Sequence, residues 1–204
     1  PDQGTDHVPV QIEQALPPLV LASASPRRLE LLRQIGIVPD LVAATDIDET
    51  PRPRELPRAL SLRLAEAKGL AAAATHPEAR VLGADTVVGL GRRILPKAET
   101  EAEAQDCLQK LSVRRHRVYT AVCLVAPGRP ARLRLGESIV AFKRLTPAEI
   151  GAYLDSGEWQ GKAGGYAIQG RAAAFIKFLS GSHSTVVGLP LYEVIGRRVH
   201  LTDA

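Results

Sequence analysis

Two long stretches of β-type sequence, at about residues 116–126 and 132–143, constrain the fold most strongly. The segment between them contains Pro-Gly-Arg-Pro, a turn signal that leaves little chain for the connection. A connection this short allows the two strands to pair only in the antiparallel direction. Because strand-like runs and helix-like segments alternate along the rest of the chain, the sequence predicts an α/β protein with a mixed β-sheet.

The other elements follow from apolar periodicity and from capping residues. Ser25 and Pro26 predict the start of a helix that ends at Gly36, and Thr100 with Glu103 forms the pattern of a capping box. Predicted strands cover residues 19–22, 41–44, 173–179 and both halves of 81–95, and predicted helices cover 26–35, 57–74, 100–111, 146–155 and 189–198.

The chain has 204 residues, which is enough for one sizeable core. We expect a flexible N-terminal tail at residues 1–18 and a single domain at residues 19–204, because the tail is polar and acidic and nothing later resembles a linker. The tail lacks the basic and apolar regions of a signal peptide. No apolar run approaches the roughly 18 residues of a membrane span, so we expect a soluble, cytoplasmic protein.

Composition and spacing exclude several classes of function. The two cysteines, Cys107 and Cys123, are too few for a disulfide scaffold or a Cys-based zinc site. The histidines lack zinc-site spacing, and no G-x-S-x-G elbow is present. Basic residues are interleaved with acidic ones and aromatics make up only 4%, so we expect no stable nucleic-acid binding. A Ser–His pair at His183 with Ser182 or Ser184 is an alternative, although adjacent residues rarely face each other.

Arg27 and Arg28 stand at the start of the first predicted helix, where the helix dipole already presents positive charge. The free backbone N–H groups of the first turn and the preceding Ser-Ala-Ser segment converge there with both guanidinium groups. That arrangement is typical of an anion site, where a bound triphosphate forms charge-assisted hydrogen bonds. The alternative is a solvated pair of arginines, with Arg27 bridging Glu30 three residues further along the helix.

Asp85 lies inside the apolar run VLGADTVVGL, where a carboxylate is unfavourable unless it is paired or bound to a cation. Strand periodicity places its side chain on the face opposite Ala84 and Thr86. Such a carboxylate can hold a divalent metal or orient an attacking water, and Asp48 and Glu49 are the best candidates to share a metal with it. The alternative is a structural aspartate at a strand end that a nearby arginine satisfies.

The segment GKAGGYAIQG, residues 161–170, is glycine-rich but has neither P-loop nor G-x-G-x-x-G spacing. Its small residues allow the backbone to approach a ligand closely, with Lys162 as a cation and Gln169 as both donor and acceptor. A glutamine amide can read a base edge through paired hydrogen bonds. Lys68 and Lys97 are further candidate phosphate contacts. The alternative for the whole segment is a simple turn.

Six blocks of this sequence, taken in order, resemble the Maf family of nucleotide pyrophosphatases, also called septum-formation inhibitors. The blocks are LASASPRRLELL (21–32), RLAEAKGLA (63–71), VLGADTVV (81–88), HRVYTAV (116–122), GKAGGYAIQG (161–170) and SGSHSTVVGLPL (180–191). They cover nearly the whole chain after residue 18. One block alone would be weak evidence for the family, but six blocks in the same order are specific to it. The SPRR block together with KAGGYAIQG resembles the family branch that prefers dTTP and UTP.

The resemblance implies hydrolysis of a nucleoside triphosphate to the monophosphate and pyrophosphate, with a divalent cation such as Mg²⁺ or Mn²⁺. It also implies an elongated, curved mixed β-sheet flanked by helices, two lobes with a central cleft, and a homodimer. Asp85 matches the family's proton acceptor, with Glu49 as its partner in holding a metal. Positions associated with substrate choice are Arg27, Thr86 and Gln169, and those that line the phosphate region are Ser23, Arg28, Lys68, Lys97 and Lys162.

Two alternatives remain for the function. One is a pyrophosphatase that prefers 7-methyl-GTP or another purine nucleotide, and the other is a non-catalytic nucleotide-binding regulator of cell division. Asp85 favours an enzyme, because a protein that only binds a triphosphate gains little from a carboxylate facing it.

Overall fold

A seven-stranded mixed β-sheet forms the centre of the protein, as the computed structural model of residues 16–196 describes it. Its strands are β1 (Leu19–Ala22), β2 (Leu41–Val42), β3 (Arg80–Leu90), β4 (Arg93–Leu95), β5 (Arg115–Val125), β6 (Arg132–Phe142) and β7 (Ile176–Ser180). The strand order is β2-β1-β3-β5-β6-β7, and β4 pairs with β3. β1 is parallel to β2 and β3, whereas the other pairs are antiparallel, so the predicted mixed sheet is confirmed.

Six helices flank the sheet in the described part of the chain. They are α1 (Pro26–Gln34), α2 (Pro57–Thr75), α3 (Glu101–Leu111), α4 (Pro147–Asp155), α5 (His183–Val187) and α6 (Leu191–Ile195). The predicted capping box of α3 is confirmed, because both reciprocal hydrogen bonds between Thr100 and Glu103 are present. Within residues 16–196, no helix combines the length and the hydropathy of a membrane span. Of the predicted N-terminal tail, residues 1–15 lie outside the described residues.

Two predictions for the last third of the chain are wrong. The strand predicted at residues 173–179 begins at Ile176, after a 3₁₀ turn at Arg171–Phe175. Ala172 and Phe175 are buried at a spacing of three, which suits a 3₁₀ turn and not a strand. The single helix predicted at residues 189–198 is instead the short α6, preceded by α5. Gly188, with φ of +136°, separates the two, and residues 197 and 198 lie outside the described residues.

The start of α1 also differs from the prediction in one detail. Ser25 occupies the N-cap position and Pro26 the first turn, as predicted, but the Ser25 side chain makes no capping hydrogen bond. Instead, the Ser25 backbone N–H donates to Ser23 Oγ at 3.1 Å. The Ser25 side chain therefore satisfies none of the unpaired backbone N–H groups in the first turn of α1, and these groups can donate to another partner.

The β3 edge that faces β1 and β4 is open in its middle. β1 pairs with β3 up to Gly83, and β4 pairs with β3 from Val88 onwards, so neither strand covers residues 84–87. On its other edge, β3 pairs with β5 continuously from Val81 to Gly89. The opening separates two apolar cores, one built from α1 and β1 and the other from α3, α4 and the ends of β5 and β6. This arrangement agrees with the expected two lobes and central cleft.

Helix α2 packs very closely on β3, on the face to which Asp85 points. A Cβ atom at Gly83 would lie 2.6 Å from the Gly69 nitrogen and 2.7 Å from the Ala65 carbonyl oxygen, distances that no real Cβ adopts. Val87 contacts the same helix from two residues beyond Asp85. Glycine at position 83 therefore allows α2 to bring its own side chains against the middle of β3.

His116 on β5 is a buried imidazole in the larger core. Its ring is 2% exposed, its Nε2 lies 2.7 Å from the Tyr166 hydroxyl, and Phe142 packs against it edge-on. Burial lowers the pKa of His116 from its ordinary value of 6.5 to about 4. Between these two values the unfolded chain binds a proton that the folded protein does not bind, so acid destabilises the fold.

We predict that His116 makes the free energy of unfolding fall by about 2 kcal/mol between about pH 7 and about pH 5. As the pH is lowered, the free energy of unfolding begins to fall near 6.5, the pKa of His116 in the unfolded chain, and continues to fall until about 4, its pKa in the folded protein. Urea titrations at the two pH values measure it, and His116→Gln should flatten the difference. His183→Gln, at an exposed position, is the matched control. An equally steep loss in His116→Gln would contradict the assignment.

Candidate active site

The open edge of β3 borders a cleft of about 340 Å³. The cleft brings together side chains that the sequence singled out on separate elements: Ser23, Arg27, Arg28, Glu49, Lys68, Thr86, Lys97, Lys162 and Gln169. A second, mainly apolar cavity of about 500 Å³ is lined by Asp85 and shares Glu49, Thr86 and Lys97 with the first. Asp85 and Thr86 point to opposite faces of β3, as the sequence predicts. The two cavities meet at the open edge, since they share lining residues there.

Arg28 is a buried cation with only neutral partners. Its Nε donates to the Gly188 carbonyl oxygen at 2.8 Å, its Nη1 to Ser23 Oγ at 3.0 Å and its Nη2 to Thr86 Oγ1 at 3.2 Å. No ion pair within residues 16–196 includes it. Burial lowers the pKa of Arg28, although the negative charge of Asp85 opposes this effect. A guanidinium has five N–H groups, so two remain for an anionic ligand.

Arg27 and Ser23 extend the same positive wall of the cleft. Arg27 is half-buried, and its Nε donates to the Val187 carbonyl oxygen at 3.4 Å. The alternative ion pair between Arg27 and Glu30 is not among the ion pairs of the described chain. Ser23 Oγ accepts hydrogen bonds from Arg28 and from the Ser25 backbone, so its own O–H can donate to a ligand.

Asp85 is fully buried and is paired with lysine, not with the arginine that the structural alternative expects. Lys68 Nζ lies 2.6 Å from Asp85 Oδ1, and Lys97 Nζ lies 3.5 Å from the same oxygen. The other oxygen, Asp85 Oδ2, is buried and has no hydrogen-bond partner in the described structure. A buried carboxylate oxygen without a donor is unfavourable in a purely structural aspartate, and this orphan oxygen marks Asp85 as the candidate reactive group.

Glu49 connects the two lysines from the loop between β2 and α2. One of its oxygens lies 2.7 Å from Lys68 Nζ, and the other accepts a hydrogen bond from Lys97 Nζ. Burial raises the pKa of Glu49, but the hydrogen bonds from the lysines outweigh burial, so its pKa is below the ordinary value. Asp48 does not join this cluster: it is exposed and accepts a hydrogen bond from the Thr50 backbone at 2.9 Å.

The glycine-rich segment 161–170 lines the same cleft as Arg27 and is held by backbone hydrogen bonds. Gly161 N–H donates to the Ala98 carbonyl oxygen at 2.8 Å, and Ala98 N–H donates to the Lys162 carbonyl oxygen at 3.1 Å. These bonds fix Lys97 and Lys162 at the same rim. Burial lowers the pKa of Lys162, and the charge of Arg27 lowers it further. Gln169 is exposed at the cleft, with its amide available to a ligand.

A family model described as Maf-like protein matches residues 18–197. The chain belongs to the Maf family. The dTTP/UTP pyrophosphatase of Rhodospirillum rubrum is 61% identical over 176 residues, covering 86% of this Maf chain and 84% of that protein. The dTTP/UTP pyrophosphatase of Novosphingobium aromaticivorans is 60% identical over 177 residues, covering 87% of this chain and 88% of that protein.

Among solved structures, the Staphylococcus aureus Ham1 protein aligns with this Maf chain at a TM-score of 0.43 and 18% identity. That alignment covers 61% of this chain and 71% of the Ham1 chain. An alignment this partial supports no conclusion about function. The substrate of the Maf chain must therefore be inferred from its own site and from its relatives.

Asp85 and Glu49 are the carboxylates of the Maf chain whose chemistry suits a metal shared with a phosphate ligand. Asp85 Oδ2 is free of donors, and Glu49 shares Lys68 with Asp85. Within residues 16–196 no group of three or more His, Cys, Asp or Glu side chains is arranged to hold a metal. Mg²⁺ commonly binds through one or two carboxylates and completes its shell with waters and phosphate oxygens. The donor set therefore fits a metal bound jointly with phosphate, and not a closed protein cage.

The alternative Ser–His pair is not formed in the Maf chain. Ser182 Oγ and Ser184 Oγ hydrogen-bond each other at 2.7 Å, and the Thr185 and Leu191 backbone N–H groups donate to them. His183 is exposed. The two hydroxyls therefore organise the start of α5 and the approach to α6.

Sequence reasoning missed Tyr166 and Thr120. Tyr166 lines the cleft and hydrogen-bonds His116, and Thr120 is a fully buried threonine that contacts Thr86. Tyr166 lies in the block GKAGGYAIQG and Thr120 in the block HRVYTAV, and the likeness of these blocks to the family was the only signal that could have pointed to the two residues. Neither residue is recognisable from periodicity, because a threonine fits an ordinary buried strand and a tyrosine is often buried without any functional role.

Proposed function

We propose that this Maf chain is a nucleoside triphosphate pyrophosphatase that hydrolyses dTTP and UTP to the monophosphate and pyrophosphate. Relatives of about 60% identity over most of the chain carry that activity in their names. The observation that carries the proposal is Arg28: a buried cation, held by neutral acceptors, that lines a cleft beside a carboxylate with one free oxygen. A highly charged anion is the ligand that would neutralise the buried positive charge of Arg28 and accept its remaining hydrogen bonds.

In the proposed reaction, Asp85 accepts a proton from a water molecule that attacks the α-phosphorus. A bond forms between the water oxygen and phosphorus, the bond from phosphorus to the bridging oxygen of the β-phosphate breaks, and pyrophosphate leaves. Lys68 and Lys97, within 2.6 and 3.5 Å of Asp85 Oδ1, are placed to stabilise negative charge that develops near Asp85. Arg27, Arg28 and Lys162, which line the same cleft, hold the triphosphate.

We further propose that Asp85 and Glu49 hold a divalent cation, Mg²⁺ or Mn²⁺, together with phosphate oxygens. When bound, such a cation acts as a Lewis acid on the phosphoryl group. Glu49 is paired with Lys68 and Lys97 in the described structure, so it must exchange at least one lysine for the cation. A lysine that Glu49 releases is then available to contact phosphate.

An assay of pyrophosphate release across dTTP, UTP, CTP, ATP, GTP and 7-methyl-GTP tests the proposal. With Mg²⁺ or Mn²⁺ we expect monophosphate and pyrophosphate from dTTP and UTP, and no turnover after chelation with EDTA. Preference for 7-methyl-GTP or another purine would retain the chemistry and overturn the pyrimidine preference. Nucleotide binding without turnover would favour the regulator of cell division. The homodimer, the cytoplasmic location and the absence of stable nucleic-acid binding stay predictions.

A further inference from the structure

A chain of hydroxyl groups connects Arg28 to the interior of the sheet, behind the cleft. Arg28 Nη2 donates to Thr86 Oγ1 at 3.2 Å, and Thr86 Oγ1 lies 2.9 Å from Thr120 Oγ1. Thr120 Oγ1 donates to the Thr185 carbonyl oxygen at 2.7 Å. Thr120 stands directly opposite Thr86 in the register of β3 and β5 and is 0% exposed. It lines neither the cleft nor the adjoining cavity.

The direction of every hydrogen bond in this chain is fixed by elementary chemistry. A carbonyl oxygen only accepts, so the single proton of Thr120 goes to Thr185. Thr120 must then accept from Thr86, which uses the single proton of Thr86. Thr86 is left with lone pairs only, and one of them faces the Arg28 guanidinium. Thr120 therefore sets the polarity that makes Thr86 an acceptor for Arg28.

Both Thr120 and Arg28 are also hydrogen-bonded to the backbone of α5 or of the residue that follows it. Thr120 is anchored on Thr185 inside α5, and Arg28 Nε donates to Gly188 at the end of that helix. The approach of α5 to the sheet depends on Gly136 of β6, where a Cβ atom would lie 2.6 Å from Thr185 Oγ1. Both ends of the hydroxyl chain are thus held by one short segment, which limits the positions that Arg28 can adopt.

We infer that Thr120 is a positioning residue for substrate binding, which acts on Arg28 through Thr86 and touches no ligand itself. Without the Thr120 hydroxyl, the proton of Thr86 loses its acceptor and can turn toward Arg28, where it opposes the guanidinium. Arg28 then loses one of its three protein contacts and its fixed orientation toward the triphosphate. The inference rests on the proposed function, since it concerns binding of a nucleoside triphosphate in this cleft.

The test compares Thr120→Val, which keeps the shape and removes the hydroxyl, with Thr120→Ser, which keeps the hydroxyl. We expect Thr120→Val to raise the KM for dTTP about tenfold with kcat changed less than about threefold, because a hydrogen bond to a charged group is disturbed. Thr120→Ser should restore the KM. Calorimetric titration with a dUTP analogue whose α,β-bridge is not hydrolysed should show the same loss of affinity.

Ser138→Ala is the matched control. Ser138 is buried on β6 and donates to the Ser182 carbonyl oxygen at 2.8 Å, so its removal loosens the same segment without touching Thr86 or Arg28. We expect its KM for dTTP to match that of the wild type. An equal rise in KM for Ser138→Ala and Thr120→Val would show a general packing effect and overturn the inference, as would an unchanged KM in Thr120→Val.

A double-mutant cycle tests the claim that Thr120 acts through Thr86. In the Thr86→Val background, adding Thr120→Val should change the KM less than about twofold, because the hydroxyl it supports is already gone. A full, additive effect there would overturn the inference. Circular dichroism and thermal unfolding check that each variant folds, and Thr120→Ala replaces Thr120→Val if the latter does not. Wild-type protein that neither binds nor hydrolyses nucleotides would instead refute the proposed function.

Discussion

Asp85→Asn is expected to lower kcat for dTTP by at least about a thousandfold, in line with the loss of a general base. The substitution keeps the size of the side chain but removes the carboxylate oxygen, Asp85 Oδ2, that has no protein donor. The affinity for a non-hydrolysed dUTP analogue should change less than about threefold, because Arg27, Arg28 and Lys162 still hold the triphosphate. Steady-state kinetics and calorimetric titration measure the two quantities separately.

The fold should survive this substitution because Lys68 keeps a second carboxylate partner. Glu49 Oε1 lies 2.7 Å from Lys68 Nζ, so the buried ammonium is not left unpaired when Asp85 becomes neutral. Asp48→Asn, one residue before Glu49 but exposed, is the control and should retain wild-type turnover. If Asp85→Asn retained turnover close to that of Asp48→Asn, Asp85 would not be the proton acceptor.

Arg28→Met is expected to weaken binding of the non-hydrolysed dUTP analogue by at least about a hundredfold. Two guanidinium N–H groups of Arg28 remain for the triphosphate, and each charge-assisted hydrogen bond to phosphate contributes about 1.5–3 kcal/mol. Methionine matches the length of the apolar stem but carries no charge. The variant also frees Ser23 and Thr86, which now hold Arg28, so thermal unfolding must accompany the titration.

Arg33→Met, in the last turn of the same helix and exposed, is the control for this prediction. The Arg33→Met substitution removes one positive charge from α1, as Arg28→Met does, but at a position outside the cleft. The affinity of this variant for the dUTP analogue should equal that of the wild type. A loss in Arg28→Met no larger than in Arg33→Met would mean that Arg28 contributes only through the net charge of the protein. A hundredfold difference between the two places the buried guanidinium in direct contact with the anion.

Elements whose signals are local could be predicted from the sequence. The capping box of Thr100 and Glu103 involves neighbouring residues, and the predicted hairpin of β5 and β6 depends on one turn. Asp85 was recognisable because a carboxylate in an apolar strand contradicts the periodicity around it. Arg28 was recognisable because two cations at a helix start oppose the dipole.

Elements decided by distant contacts could not be predicted in the same way. Glu49 points to Lys68 and Lys97 while Asp48 does not, and nothing in the irregular loop before α2 distinguishes the two acids. The open edge of β3 results from where β1 ends and β4 begins, which only the register reveals. The role of Thr120 is also recognisable only from the strand register, because it depends on the position of Thr120 opposite Thr86.

The most direct test of the central claim is ³¹P NMR spectroscopy of dTTP hydrolysis by the wild-type protein in ¹⁸O-labelled water. Attack on the α-phosphorus predicts thymidine monophosphate and pyrophosphate as products, with the heavy oxygen only on the monophosphate. Formation of the diphosphate and inorganic phosphate would contradict the proposed function. Label in the pyrophosphate would contradict attack on the α-phosphorus by a water that Asp85 activates.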